Sequence, residues 1–418
     1  MGDFFQNGEI TTLHRFNTTT LEKIEHEIEQ YAGSRPVALV LPITPVEMRG
    51  PALPGIVHEL KEVNYINQIV VALGRFTKHD FQEAIEFFSV LPQETKLIWN
   101  DGKNIQNLYN LLNEEKISAG IDGKGRSAWL AYGYVLATDK SRVIALHDCD
   151  IINYDRKLLA HLCYPVVNPN LDFEFCKGYY HRVTDRMHGR VTRLFVTPFI
   201  RSLRKTIGCT DFLEYLDSFR YPLAGEFSMV ADLARINRIP GDWGLEVGVL
   251  SEVYRNCSKR RICQVDICET YEHKHQPLSD EDPTTGLTKM SIDIAKSIYK
   301  NLASMGIVFS SEYFKTLKAT YQRIAHEFIE KYNHDSIING LFFDRHQEMK
   351  AVDAFTKSIG IAGEQFLEDP SGIPFIPNWN RITSAIPDFF YKLMEAVESD
   401  NLRFAQRRQK KYQTSDII

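Results

Sequence analysis

Four short apolar runs, each separated from the next by a polar or helix-like segment, constrain the fold of this chain most strongly. The runs are residues 37–41, 69–73, 96–99 and 143–146. Each has the length of a buried strand. Residues 81–90 and 127–136, which lie between runs, have a helix-like pattern. This alternation is typical of an α/β domain with a mostly parallel sheet.

The pattern changes at both ends of the chain. Ile292, Ala295, Ile298 and Leu302 keep helical spacing, and residues 314–328 do the same. We therefore predict an α/β domain over residues 1–287 and a mainly helical C-terminal extension over residues 288–418. Residues 1–17 are predicted to be irregular, and Thr19 with Glu22 predicts a capping box that begins a helix.

Composition excludes several classes of protein. The 418 residues carry a formal net charge of −5, which gives no general attraction to nucleic acid. No apolar stretch reaches the ~18 residues of a membrane span, and the N-terminus lacks the layout of a signal peptide. The seven cysteines form no C-x-x-C pair. We predict a cytoplasmic protein with reduced thiols, binding neither nucleic acid nor membrane.

The run VIALHDCDII, residues 143–152, places two aspartates directly after a predicted strand. Burying a carboxylate costs free energy unless it is paired or binds a metal. Alternation along an extended segment directs Asp148 and Asp150 to the same side. Ligands of parallel sheets bind beyond the carboxyl ends of the strands. The pair therefore suits a divalent cation held against a diphosphate, with an exposed acidic turn as the alternative.

Two glycine-rich segments each carry a charge that suits such a site. In residues 122–127, DGKGRS, backbone N–H groups and Lys124 precede a predicted helix and could bind a phosphate. The spacing is not that of a Walker A loop, and a plain glycine turn is the alternative. In residues 244–248, GLEVG, Glu246 could be a catalytic or sugar-binding carboxylate, or could cap a helix.

Three more segments carry basic or imidazole side chains. Residues 177–182, KGYYHR, and residues 189–192, GRVT, combine donors that suit a carboxylate or a phosphate. Surface loops beside the sheet are the alternative for both. Residues 271–276, YEHKHQ, contain two histidines that could supply a metal ligand or lie in a solvated loop.

Taken in order, these segments resemble one family, the glucosyl-3-phosphoglycerate synthases. The resemblance rests on GKG at 123–125, D-x-D at 148–150, GRVT at 189–192, PLAGE at 222–226, GLEVG at 244–248 and YEHKHQPL at 271–278. It covers residues 120–280 well and residues 36–75 loosely. It implies a GT-A fold, which is a Rossmann-like α/β fold of nucleotide-diphospho-sugar transferases, here with a mainly helical C-terminal extension.

The resemblance implies a retaining hexosyltransferase. Glucose would move from UDP-, GDP- or ADP-glucose to 3-phosphoglycerate, giving glucosyl-3-phosphoglycerate, the precursor of the compatible solute glucosylglycerate. Mg²⁺ or Mn²⁺ would be the cofactor. The alternatives are a mannosyl-3-phosphoglycerate or glycosylglycerate synthase of the same fold, a sugar nucleotidyltransferase, and a non-catalytic sugar-nucleotide sensor. A nucleotidyltransferase would normally carry a glycine-rich loop with arginine after the first strand, where this chain has PITP at 42–45.

The resemblance also implies roles for individual residues, which fall into four groups. The nucleotide sugar would contact Pro42, Ile43, Lys124 and Asp148; the metal would bind Asp150 and His273; the acceptor would contact Gly189, Arg190, Val191, Thr192 and His275; and Glu246 and Asp150 would take part in catalysis. Two departures from the family pattern concern these sites. The nucleotide loop, usually P-A-L-N-E, reads PITPVE here, and Tyr271 and His275 replace an arginine and an asparagine around the metal histidine.

Retention of configuration implies either a double displacement or a front-face substitution. Since no carboxylate is identified as a nucleophile, the family resemblance favours front-face attack, with the leaving phosphate helping to accept the proton of the acceptor. The apolar stripe after Ile292, together with the resemblance, predicts a homodimer that uses part of the C-terminal extension. The alternative is that the stripe covers the catalytic domain.

Overall fold

The computed structural model of this chain describes residues 5–6, 8–240, 245–272, 285–372 and 374–415. In this part of the chain, helices cover both faces of one eight-stranded sheet. The strands are β1 (Thr11–Leu13), β2 (Val37–Ile43), β3 (Ile66–Leu73), β4 (Glu94–Trp99), β5 (Val143–Leu146), β6 (Phe175–Tyr180), β7 (Phe227–Val230) and β8 (Ile262–Cys268). All four predicted strands are present.

The strand order is β1-β8-β6-β7-β5-β2-β3-β4. Strand β7 runs antiparallel to its neighbours β5 and β6, and the other adjacent pairs of this sheet are parallel. In the middle of the sheet, Val40 of β2 lies opposite Leu146 of β5 and Val70 of β3. The predicted α/β fold with a mostly parallel sheet is confirmed.

The helices connect the strands and then continue beyond the sheet. They are α1 (Leu21–Ala32), α2 (Pro45–Met48), α3 (Ala52–Leu60), α4 (Lys78–Phe88), α5 (Lys103–Glu114), α6 (Lys124–Thr138), α7 (Arg156–Val167), α8 (Thr197–Ile207), α9 (Asp211–Ser218), α10 (Ala231–Ile236), α11 (Leu245–Asn256), α12 (Gly286–Ser304), α13 (Ser311–Ile338), α14 (Arg345–Glu368), α15 (Trp379–Ala385) and α16 (Phe389–Ser415). A π-helix, Val191–Val196, precedes α8, and a 3-10 turn, Lys259–Arg261, precedes β8.

The sequence patterns predicted two of the helices between the strands, but the predicted N-cap of α1 was wrong by one residue and strand β1 was not predicted. The predicted helices 81–90 and 127–136 correspond to α4 and α6. The N-cap of α1 is Thr20 and not Thr19, so the predicted capping box was wrong by one residue; the Thr20 hydroxyl accepts from the Lys23 N–H. Residues 11–13 were predicted to be irregular, yet they form β1, which pairs with β8.

Alternate residues of the strands enter two hydrophobic cores on opposite faces of the sheet. On β2, Val37, Leu39 and Leu41 enter the core that α3, α4 and α7 cover. Ala38 and Val40 enter the other core, with α6, α8 and the C-terminal helices. All five side chains are fully buried. Burial on both faces explains why the strand reads as a continuous apolar run rather than an alternating one.

The C-terminal helices α12–α16 extend the second core. The apolar stripe predicted from Ile292 onward is buried within the chain, so it covers the catalytic domain, as the alternative interpretation expected. In α13, the Tyr321 hydroxyl donates to the Leu194 carbonyl at 2.6 Å. In α15, Trp379 stacks on Trp129 of α6 with the ring centroids 4.3 Å apart. The domain boundary at 287/288 and the homodimer stay predictions.

None of the helices in the described ranges is long and apolar enough to cross a membrane. The seven cysteines all lie in these ranges and are unpaired, six of them at least partly buried.

Candidate active site

The segments singled out in the sequence meet beyond the carboxyl ends of β2 and β5. Because Val40 and Leu146 are the last register partners of these strands, Pro42 and Ile43 continue β2 on the side where Asp148 leaves β5. Ile43 is buried and Pro42 is half-buried. The N-terminus of α6 brings Lys124 to the same edge, and the first turn of α11 brings Glu246.

Lys124 is the charge that joins these segments. Its Nζ lies 2.6 Å from Asp148 Oδ1 and 3.2 Å from Glu246 Oε1. Burial lowers the pKa of Lys124, but the two carboxylates outweigh it, so that the pKa lies well above its ordinary value. The ammonium is therefore a permanent cation between two acids from different parts of the chain. We call Lys124, Asp148 and Glu246 the donor-side triad.

Glycines allow the backbone segments around the donor-side triad to approach closely. A Cβ on Gly225 would lie 2.3 Å from Asp148 Oδ2, so only glycine leaves that carboxylate its position. A Cβ on Gly125 would lie 2.3 Å from the Pro240 carbonyl oxygen, and one on Gly248 would lie 2.0 Å from Pro240 Cγ. The starts of α6 and α11 thus converge on one proline, which explains how Lys124 reaches Glu246.

His147, inside the run VIALHDCDII, is structural. It is fully buried, its Nδ1 lies 2.8 Å from the Asp148 carbonyl oxygen, and its Nε2 lies 3.3 Å from the Tyr154 hydroxyl. Burial lowers the pKa of His147 to about 4. A neutral imidazole with both nitrogens engaged fixes the backbone of Asp148 and is not available for proton transfer or metal binding.

Glu226 was not assigned a role from the sequence, although it ends the PLAGE run. It is fully buried, and its Oε1 accepts a hydrogen bond of 2.5 Å from the Tyr271 hydroxyl. Burial, and then the nearby Asp148 carboxylate, raise the pKa of Glu226. A charged residue directly before an apolar strand was the signal in the sequence that could have identified it.

Lys177 lies in β6 and not in a surface loop, so the loop interpretation of residues 177–180 was wrong. The side chain is 1% exposed, and its Nζ has no hydrogen-bond partner among the described residues. The ammonium lies 5.3 Å from the centre of the Phe227 ring. Burial lowers the pKa of Lys177 to about 8, opposed by Glu246 and Glu226. An unpaired buried cation beside several carboxylates is a feature of functional sites.

Three tyrosines connect Glu226, whose neighbour Gly225 lies against Asp148, with the GRVT segment. We call Tyr180, Tyr221 and Tyr271 the aromatic bridge. Tyr180 stacks on Tyr271 with ring centroids 3.8 Å apart and lies 4.8 Å from the Tyr221 ring. Tyr271 contacts Glu226, and the Tyr221 hydroxyl lies beside Gly189 and accepts from Arg182 at 3.1 Å. The bridge therefore places GRVT next to the donor side.

The GRVT segment forms the start of the π-helix Val191–Val196. A π-helix is a rare geometry that is frequent at functional sites. Arg190 donates from Nε to Glu348 Oε1 of α14 at 2.8 Å, and no hydrogen bond or ion pair of the described residues engages its Nη atoms. Val191 and Thr192 are buried, and Thr192 Oγ1 has no partner in the described part of the chain. The segment thus holds unused donors.

The two histidines predicted to bind the metal and the acceptor, His273 and His275, lie outside the described residues. The chain up to them is described: the Ile152 N–H donates to the Glu272 carbonyl at 2.8 Å, and the Tyr271 N–H donates to the His181 carbonyl at 3.0 Å. Residue 272 therefore lies directly beside the segment that follows Asp150.

Within the described ranges, Asp148 and Asp150 do not belong to a cluster of three potential metal ligands. The one such cluster found there is His79, Asp80 and Glu83 on the first turns of α4. Asp80 in that cluster accepts from the Thr77 N–H and hydroxyl as part of a capping box. The cluster is therefore explained by helix capping.

Comparison with known proteins was made by sequence and by structure. No family model matches the chain. The glucosyl-3-phosphoglycerate synthase of Persephonella marina is 50% identical over 401 residues, which make up 96% of this chain and 99% of that protein. This identity over the full length is sufficient to establish common membership of a family.

Solved structures agree with the fold. The mannosyl-3-phosphoglycerate synthase of Rubrobacter xylanophilus superimposes with a TM-score of 0.53 at 21% identity, covering 72% of this chain and 83% of that one. The glucosyl-3-phosphoglycerate synthase of Mycobacterium tuberculosis, in complex with Mg²⁺ and uridine diphosphate, gives 0.50 at 21%, covering 72% and 89%. The predicted GT-A fold is confirmed. From its sequence identity and its fold, this chain belongs to the glucosyl-3-phosphoglycerate synthase family and is a hexosyltransferase.

Proposed function

We propose that this enzyme transfers glucose from a nucleotide sugar to 3-phosphoglycerate, with retention of configuration at the anomeric carbon. The name of the Persephonella marina relative supports both substrates. The observation that carries the proposal is the placement of two chemically different groups side by side. The donor-side triad lies at one end of the aromatic bridge, and the unused donors of Arg190 and Thr192 lie at the other.

On the donor side, Pro42, Ile43, Lys124 and Asp148 bind the nucleotide sugar. The diphosphate needs a cation that stays charged at every working pH, which the raised pKa of Lys124 provides. Lys124 is held by two carboxylates before the substrate arrives, so little entropy is lost when it meets a phosphate. The Mycobacterium tuberculosis neighbour binds uridine diphosphate, which makes UDP-glucose the first donor to test.

Mg²⁺ or Mn²⁺ serves as cofactor in this proposal, as the Mg²⁺ in the Mycobacterium tuberculosis neighbour suggests. Asp150, which is half-buried, fits a hard cation because carboxylate oxygens are the preferred ligands of such ions. Asp150 and His273 would hold the ion. When bound, it stabilises the charge that develops on the departing diphosphate.

On the acceptor side, the residues proposed to bind 3-phosphoglycerate are Gly189, Arg190, Val191, Thr192 and His275. The acceptor carries a carboxylate and a phosphate, each of which accepts bidentate hydrogen bonds from a guanidinium. The free Nη edge of Arg190 suits either anion, and the buried Thr192 hydroxyl supplies a second donor.

Catalysis rests on the placement of Glu246 and on charge. Glu246 pairs with Lys124 and lies near the buried ammonium of Lys177, and in this proposal its side chain orients the sugar hydroxyls. Because Asp148 and Glu246 both pair with Lys124, neither is prepared as a nucleophile. We therefore favour front-face attack of the acceptor hydroxyl, in which the leaving phosphate accepts its proton.

Product analysis tests the whole proposal. The purified protein is incubated with Mg²⁺ and with UDP-, GDP- or ADP-glucose, each paired with 3-phosphoglycerate or with free glycerate. We expect glucosyl-3-phosphoglycerate with the α configuration, detected by mass spectrometry and by the coupling of the anomeric proton. Absence of this product from every glucose nucleotide, or inversion at the anomeric carbon, would contradict the proposal.

A second candidate is mannosyl-3-phosphoglycerate synthesis. The sequence leaves this alternative open, and the mannosyl-3-phosphoglycerate synthase of Rubrobacter xylanophilus has the same fold. GDP-mannose in the same panel decides between the two, because a preference is read from the ratio of kcat/KM values for the two donors.

A further inference from the structure

The C-terminal extension contacts the GRVT segment and the residues on either side of it at several points. Glu348, in the first turn of α14, accepts from Arg190 Nε at 2.8 Å and pairs with Arg193 Nη1 at 2.9 Å. Arg193 also donates to the His188 carbonyl at 2.9 Å and lies 4.8 Å from the Tyr332 ring of α13. The Phe342 N–H, in the turn between α13 and α14, donates to the Asp185 carbonyl.

Glu348 is the one buried acid among these contacts. Its side chain is 6% exposed, against 12% for Arg193 and 34% for Arg190. A carboxylate at this depth is stable only when it is paired and hydrogen-bonded, and here it bridges two arginines. One carboxylate and two guanidinium groups give the cluster a net charge of +1. Arg190 is the more exposed of the two arginines, so it is the one that an anion from solvent can reach.

The geometry divides the Arg190 guanidinium into two edges. Glu348 binds Nε, and the Nη atoms have no partner among the described residues. A guanidinium is planar, so fixing one edge fixes the direction of the other. An arginine that is already oriented loses less rotamer entropy when an anion binds.

We propose that Glu348 is a positioning residue of the acceptor site, through which the C-terminal extension orients Arg190 toward the acceptor anion. This inference rests on the proposed role of Arg190 in binding 3-phosphoglycerate. It assigns a function in acceptor recognition to an element outside the nucleotide-binding sheet. It also gives α14 a role that differs from covering the hydrophobic core.

Calorimetry with 3-phosphoglycerate on Glu348→Ala and Glu348→Gln tests the inference, with uridine diphosphate and Mg²⁺ present. We expect Glu348→Ala to weaken 3-phosphoglycerate binding about three- to tenfold, the range for freeing one long side chain. Glu348→Gln retains one acceptor and should restore part of the loss. Affinity for uridine diphosphate, measured separately, should change by less than about twofold, which also shows that the variants are folded.

Glu252→Gln is the matched control. Glu252 is 2% exposed and holds Arg238 through both of its oxygens, at 2.7 and 3.1 Å, on α11. Its loss removes a buried acid–arginine pair of the same kind at a place that does not contact GRVT. We expect lower thermal stability and unchanged 3-phosphoglycerate affinity. If Glu252→Gln lowers the affinity for 3-phosphoglycerate as much as Glu348→Gln does, Glu348 acts through stability alone and the inference is wrong.

A double mutant separates this inference from the proposed function. In an Arg190→Ala background, Glu348→Ala should weaken 3-phosphoglycerate binding no further, because the group that it positions is gone. If Arg190→Ala itself leaves acceptor affinity unchanged, the acceptor assignment fails. If Arg190→Ala weakens binding but Glu348→Ala does not, or strengthens it, only the positioning role fails, and Glu348 is structural or competes with the acceptor for Arg190.

Discussion

The proposed donor side and the proposed acceptor side of this enzyme satisfy their polar groups in different ways. On the donor side, the charges of Lys124, Asp148 and Glu246 pair with one another without any substrate. On the acceptor side, Thr192 Oγ1 and the Nη edge of Arg190 have no partner in the described ranges. The difference indicates that the donor-side triad is paired before any substrate binds, whereas Arg190 and Thr192 keep hydrogen-bond donors that a substrate could engage.

The largest expected effect comes from the metal side of the donor site. Asp150→Asn keeps the shape of the side chain but removes its charge, and should lower kcat roughly 10²- to 10³-fold, as for the loss of one electrostatic stabiliser. Turnover with Mg²⁺ or Mn²⁺, and in excess chelator, measures it. Asp139→Asn is the control, because Asp139 is exposed and lies before the amino end of β5, whereas Asp150 follows the carboxyl end of that strand. Full activity in excess chelator would show that no metal is needed.

Breaking the donor-side triad should lower the affinity for the nucleotide without lowering the affinity for the acceptor. Lys124→Met leaves Asp148 and Glu246 without their shared cation. We expect uridine diphosphate affinity to fall roughly ten- to a hundredfold, since a hydrogen bond to a charged group contributes about 1.5–3 kcal/mol. Binding of 3-phosphoglycerate alone should change little. Equal losses for both ligands in calorimetry would mean that the two sides are not independent.

The converse test is Arg190→Ala on the acceptor side. Loss of the charged hydrogen-bond donor should weaken the binding of 3-phosphoglycerate about ten- to a hundredfold in calorimetry. The affinity for the nucleotide sugar should not change. Arg186→Ala, on the same loop but paired with Asp185, is the matched control. If donor affinity collapses while 3-phosphoglycerate still binds normally, GRVT contacts the donor and the acceptor site lies elsewhere.

Lys177 provides a pH-dependent test of whether the buried charge serves function rather than stability. Burial lowers its pKa from 10.5 to about 8, so between these values the unfolded chain binds a proton that the folded chain does not. The free energy of unfolding should therefore rise over this window, by at most roughly 3 kcal/mol. Lys177→Met should abolish the rise and increase stability at pH 7, while lowering kcat. Lower stability at pH 7 would show that the ammonium is stabilising.

The smallest effect concerns assembly. The predicted homodimer should scatter light with twice the mass of the 48.2 kDa chain. Since the stripe after Ile292 is buried in the chain, an interface would use other residues, such as the exposed Ile338 and Phe342 around the turn between α13 and α14. A mass of 48.2 kDa at high concentration would contradict the dimer.

Much of the fold and part of the site followed from local patterns in the sequence. The strands around residues 37–41 and 143–146 are apolar because they are buried on both faces, and that signal needs only neighbouring residues. Asp148 and Lys124 were identifiable because charged residues follow an apolar run or open a helix. The rule that ligands bind beyond the carboxyl ends of parallel strands placed Asp148 at the site, whereas the family resemblance assigned Lys124 to the same ligand.

Tertiary structure alone decided the features that join distant residues. Insertion of β7 antiparallel between β5 and β6, and the pairing of residues 11–13 with β8, depend on partners far away in sequence. Lys177 becomes a buried cation only because β6 lies inside the sheet. The contact of Glu348 with Arg190 spans 158 positions. Periodicity and spacing report on neighbours along the chain, whereas burial and charge pairing depend on which segments pack together, and that is determined by the folded chain as a whole.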